Sequence, residues 1–166
     1  LNVSTSGCTG LRERTFYDVL RQRLLAAPGV TAVPYTRVTP LTGSSSGTRI
    51  TIDGYAPPAG ESRGGQVDVG TNDVSADFFK TLGIPLLRGR DFAVTDDSAA
   101  LRVAIVNEAF VKRYWPGSDP IGHVIRFDSV ATMVIGVARN AKYSSLNEPL
   151  RPFVYLPIAQ NWRSGT

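Results

Sequence analysis

The stretch TMVIGVAR, residues 132–139, constrains the fold more than any other part of the chain. So continuous an apolar run does not alternate between a wet and a dry face, which makes it a central strand rather than an edge. RVAIVN, residues 102–107, reads as a second short buried strand. Other strands do alternate. RITIDGY sets Ile50 and Ile52 on one face, and QVDVGT does the same with Val67 and Val69. HVIRFD joins residues 132–139 in a hairpin around Asp128 and Ser129. VTAVPYTRV, residues 30–38, is predicted as a strand whose Pro34 assigns it to an edge or a bulge. PFVYLPI, residues 152–158, is the last strand.

Three helices interrupt these strands. Residues 12–27 repeat Phe16, Leu20 and Leu24 at intervals of four, bordered by Val19 and Ala27, and stop at Pro28-Gly29. ADFFKTL is a short helix with Ser75 as its expected cap and Gly83 at its close. EAFVKRYW has Asn107 in the capping position, Glu108 at its positive end, and Lys112 and Arg113 at its negative end. Strand runs mixed with short helices make an α+β pattern. The polar stretch 93–101 marks the expected boundary between lobes.

The chain's 166 residues, 42% apolar and 19% charged, suit one domain or two small lobes and exclude the disordered class. Its net charge of +4 rests on arginines scattered along the chain, with no run long enough for a nucleic-acid arm. Cys8 is the only cysteine, so there is no internal disulfide or cysteine zinc site; it reads as a free thiol in a disordered leader, residues 1–10. No apolar run approaches the length of a membrane helix.

Motifs for chemistry are sparse. Gly43, Ser44, Ser45, Ser46 and Gly47 match the G-x-S-x-G elbow, but that chemistry needs a strand before the serine and a helix after it. Here a loop precedes and a strand follows, so the segment reads as a flexible loop and a candidate partner contact, as does the loop 56–65. His123, the only histidine, has no carboxylate at metal-ligand spacing and reads as a packing residue. Asp96-Asp97 lacks the alternating oxygens of a calcium loop and reads as a solvated face. Nucleotide-binding glycine motifs are absent, and neither a cofactor nor a metal is expected.

LLRGRDF is the most loaded polar motif. Arg88, Gly89, Arg90 and Asp91 read as a structural clamp in which Asp91 holds one guanidinium bidentately. The alternative is an anion site on Arg88 or Arg90, which would make the chain a soluble ligand-binding module. In WPGSDPIG, Trp115 fills a core gap, Pro116 and Pro120 stiffen the turn around Asp119, and Gly117 and Gly122 permit unusual backbone angles.

VSADFFKTLGIPLLRGRDF, VAIVNEAFVKRYWPGSDPIGHVIRF and MVIGVARNAKYSSLNEPLRPFVYLP, in that order and spacing, resemble the MacB-type periplasmic core domain of ABC-transporter permeases of the MacB/FtsX class. The wording is most similar to the large duplicated permeases of acidobacteria. The resemblance covers about residues 14–161. It implies a porter-like α/β lobe, residues 11–90 plus 134–161, a smaller inserted αβ lobe, residues 91–133, and a tail, residues 162–166. It also implies an extracytoplasmic domain tethered to the inner membrane by flanking transmembrane helices of the same full-length chain. A cytoplasmic ATPase would drive those helices, with an extracytoplasmic partner protein and a homodimer in the full transporter as further partners. The family carries no catalytic residues, so none transfer to this chain, and nucleic acid is not among its partners. The work implied is transmission of conformational change.

The remaining enzymatic alternative is a serine hydrolase built on Ser45. The expected outcome of fluorophosphonate labelling is no adduct; an adduct that disappears in Ser45→Ala would restore that reading.

Overall fold

The computed structural model describes residues 11–58 and 64–161, and the predicted leader and tail fall outside them. In chain order the elements are α1 (Leu11–Leu25), β1 (Gly47–Ile52), β2 (Val67–Val74), α2 (Phe78–Thr81), β3 (Leu86–Gly89), β4 (Val103–Asn107), α3 (Glu108–Tyr114), β5 (Val124–Phe127), β6 (Val130–Ala138) and β7 (Phe153–Pro157). The strands form one sheet in the order β3-β6-β4-β7-β2-β1-β5. Because β5 also pairs with β6, the circuit β6-β4-β7-β2-β1-β5 returns on itself, and β3 hangs on the outer edge of β6. The parallel pairs β4–β6 and β2–β7 lie among antiparallel neighbours, which makes the sheet mixed and the fold α+β.

Apolar side chains fill both faces. Ile50, Val69, Val106, Ile125, Val134 and Val154 point into the circuit and meet Phe110, Tyr114 and Trp115 of the α3 segment. Since α3 follows the last residue of β4, it plugs the end of the circuit where β4 finishes. On the outer face Ile105, Ile135, Phe153 and Tyr155 are covered by Phe78 and Phe79 of α2, with Phe92 and Tyr143. β4 is buried at every residue and β6 from Val134 onward, the central position their composition predicts. The β5–β6 hairpin turns at Asp128, with φ 54°, and Ser129.

Four expectations differ from the structure. Residues 30–38 form no strand; one bridge, Thr36 to Val74, is their only ladder contact. Side chains of β2 and its extension hold this segment instead. Ser75 Oγ accepts the Tyr35 N–H at 2.9 Å, and Asn72 accepts the Val38 N–H at 3.0 Å while donating to the Val38 carbonyl at 2.8 Å. Ser75 is therefore occupied, and the residue in the capping position of α2 is Asp77, at φ 67° and with no side-chain cap bond. The apolar stripe of α1 stays out of the core: Phe16, Val19 and Leu24 are 39%, 46% and 42% exposed. Arg21 fastens that helix, donating to the Val33 carbonyl at 3.2 Å and pairing with Asp77 at 3.5 Å.

The division into two lobes is also absent from the sheet. Residues 91–133 supply β4, which lies between β6 and β7, and β5, which pairs with β1. A strand apolar on both faces must be flanked on both edges to satisfy its backbone, so β4 belongs to the common sheet.

Trp115 is 6% exposed and lies 5.2 Å, ring to ring, from Phe110. Trp115→Ala is expected to cost about 3–5 kcal/mol in denaturant unfolding; an unchanged midpoint would contradict the inward plug.

Candidate functional site

The outer edge of β6 brings the two polar motifs together. β5 pairs with residues 130–133 and β3 with residues 136–138, leaving two positions between them. The Gly122 N–H donates to the Val134 carbonyl and the Val134 N–H to the His123 carbonyl, both at 2.8 Å. The Arg90 N–H donates to Ile135 at 3.0 Å. No side chain fits where these backbones approach. At Gly89, with φ 72°, a Cβ would stand 2.0 Å from the Ile135 oxygen, and at Gly136 it would stand 2.7 Å from the Arg90 oxygen.

The clamp differs from its expected form. Arg90 grips Asp96 with two bonds, 2.7 and 2.9 Å, and Asp91 accepts the Phe92 N–H at 2.7 Å instead. Asp96, expected in a solvated face, is 5% exposed and also accepts the Ala93 N–H at 2.8 Å. The Arg90 bonds, with that N–H, hold the Asp96 carboxyl below its usual range. Burial pushes the Asp91 carboxyl up, and nearby Asp77 adds to the rise. Six residues separate Arg90 from its partner across a bent loop, so adjacency in sequence pointed to the wrong carboxylate. Arg88 faces Asp119 at 3.7 Å, with both side chains exposed, a contact worth little.

Asn107 does more than cap α3. Its Oδ1 accepts the N–H of Phe110 at 2.9 Å and of Phe153 at 3.0 Å, and its Nδ2 donates to the Arg151 carbonyl at 2.9 Å. One buried side chain therefore ties the β4–α3 junction to the start of β7. Trp115 packs against His123, ring centroids 4.8 Å apart, so the lone histidine is a packing residue. Pro120 is buried while Pro116 and Asp119 stand on the surface, where Asp119 accepts the Ile121 N–H at 3.2 Å.

The serine motif leads into β1 and no helix follows it. Its Ser46 carbonyl accepts the Thr71 N–H at 3.0 Å, which places the end of the loop beside the middle of β2. Residues 59–63 of the other predicted partner loop lie outside the described residues. Among the described residues no three His, Cys, Asp or Glu side chains cluster as metal ligands. Sequence reasoning missed Asn72 and the half-buried Arg37–Asp73 pair at 2.6 Å, because their partners are distant in the chain: 34 residues separate Asn72 from Val38. No local pattern encodes such contacts.

The model of the MacB-like periplasmic core domain matches residues 3–166. The chain belongs to this family. It is a periplasmic domain of a MacB-like ABC-transporter permease, and among its described residues no helix is long and apolar enough to cross a membrane. Three solved structures share its fold. The periplasmic region of MacB from Actinobacillus actinomycetemcomitans superposes with a TM-score of 0.58 at 16% identity, over 88% of this chain and 57% of that one. The extracellular domain of the noncanonic ABC-type transporter YknZ from Gram-positive bacteria gives 0.50 at 17%, over 84% and 60%. A domain of a putative permease from Porphyromonas gingivalis gives 0.51 at 17%, over 82% and 58%. The MacB-like domain thus spans less than two thirds of each of these chains. No curated protein matches it.

The depressed Asp96 carboxyl yields a test with a definite sign. A lowered pKa contributes stability above the unfolded carboxylate range, near pH 4, and that contribution is lost as pH falls through the folded value. Asp96→Asn is expected to cost about 1–2 kcal/mol at pH 7, the lower end for charged hydrogen bonds because Arg90 is half exposed. The gap to wild type should shrink as pH drops from 5 towards 2. A constant gap would remove charge from the clamp.

Proposed function

We propose that this domain is a non-catalytic lever that carries movement from membrane helices of its permease to an extracytoplasmic partner or substrate. The observation that carries this reading is that the first helix and the segment after β7 are both fastened to the sheet at one pole. α1 is fastened to Asp77, just beyond β2. The segment after β7 is fastened at the same place: the Ile158 N–H donates to Val74 at 2.9 Å, and Arg37 reaches the Asn161 carbonyl at 2.8 Å. From that pole the closed circuit, packed on both faces, rises to the α3 plug. A close-packed body displaced at one end moves as a unit, because its core has no slack to absorb strain.

In this reading flanking transmembrane helices hold the near pole, and a cytoplasmic ATPase subunit or domain moves them. Two such domains work against each other in the assembled transporter. The far pole, with the turn at 116–122 and residues 56–58, faces away from the membrane and meets the extracytoplasmic partner. The Gly43–Gly47 loop sits at the near pole, where it borders the tethers. Residues 88–91 and 107–122 act as stiffeners: they seal the outer edge of β6 and anchor the plug.

The test uses the full-length permease reconstituted with its ATPase, spin-labelled at Ser45 and Ser118. Adding ATP is expected to leave the Ser45–Ser118 distance within a domain unchanged while shifting the Ser118–Ser118 distance between domains. An intradomain distance that changes while the domains stay fixed would sink the lever.

A further inference from the structure

The near pole of the strand circuit is open where the far pole is plugged. β1 and β5 pair at Thr51–Arg126 and Ile52–Ile125, close to the plug, and part towards the other end. A cavity of about 500 Å³ enters there between Thr48 and Phe127, within the size range of small-molecule sites. Side chains alternate along each strand, so those in line with the inner core continue down its walls. Phe127, Val130 and Leu156 make an apolar side, and Phe127 and Leu156 pack directly against the inner core. Thr71 and Thr132 add hydroxyls.

Arg102 stands at the rim of this mouth. Its Nη1 donates to the Asn161 Oδ1 at 3.0 Å and to the Gln160 carbonyl, both neutral acceptors. Among the described residues no carboxylate pairs with it. The other charges lining the mouth are disposed differently. Arg37 and Asp73 neutralise each other at 2.6 Å, and Asp128 stands exposed on the hairpin turn. A half-buried guanidinium with no carboxylate partner among the described residues, lining the same cavity as an apolar wall, suits a ligand with a carboxylate at one end and a hydrocarbon at the other.

We infer that the open mouth of the strand circuit binds a small amphiphilic carboxylate, with its anionic end on Arg102 and its apolar end against Phe127, Val130 and Leu156. The same guanidinium holds Gln160 and Asn161 in the segment after β7, so an occupied site acts on the pole where that segment and the first helix are fastened. The inference stands on the cavity alone and does not depend on the lever.

The experiment titrates the purified, isotope-labelled chain with octanoate and with octanamide, followed by amide chemical shifts. Octanoate is expected to shift amides of residues 127–132 and 156–161 and to bind at least tenfold more tightly than octanamide. Arg102→Gln, melting close to wild type, should abolish that preference; if it melts early, Arg102→Lys should fold and keep a preference for the acid. Equal binding of acid and amide, shifts confined to other regions, or no saturable shift with octanoate would each overturn the site. None of these outcomes bears on the ATP-driven distances that test the lever.

Discussion

Every part of the domain depends on β6 being hydrogen-bonded along both edges. On one side it carries β4; on the other it carries β5, then the 122–123 and 90 backbones, then β3. That continuous ladder lets the sheet close, and closure is what gives an inside to a sheet with few helices to cover it. The close passage of Gly89 over Gly136 allows the seal, since a side chain at either point would force the strands apart.

Irregular segments are attached by buried amides and carboxylates rather than by ladders. Asn72 holds residues 36–38, Asn107 holds residues 151–153, and Asp96 holds the bend after β3. Each satisfies several backbone or side-chain groups from one buried position, which offsets the cost of placing a polar group there. The plugged pole is dry and aromatic, whereas the pole near the chain ends is polar and open. This asymmetry suits the proposed lever, and the open pole has room for a ligand beside Arg102.

Much of the frame was legible because its signals are local. Alternation located β1, β2 and β5, the apolar runs located β4 and β6, and Asn107 marked the start of α3 correctly. The α1 period identified a helix but not its environment, because Phe16, Val19 and Leu24 repeat in the same way whether or not something covers them. Residues 30–38 have strand-like composition, yet Pro34 lacks an N–H, and the segment is fastened by side chains from β2. The clamp residues were identified, but the Arg90 partner was not, since Asp91 is adjacent in the chain and Asp96 is adjacent in space.

The sequence by itself determined most of the elements, the central strands and the roles of Asn107 and Trp115, because periodicity, capping and side-chain volume act over a few residues, and three long motifs in order carried the resemblance to the family. Only the tertiary structure decided that 91–133 joins the common sheet, that Arg90 closes on Asp96, and that one end of the circuit stays open around Arg102. These are contacts between residues far apart in the chain, and their energies depend on a geometry that exists only once the sheet has closed.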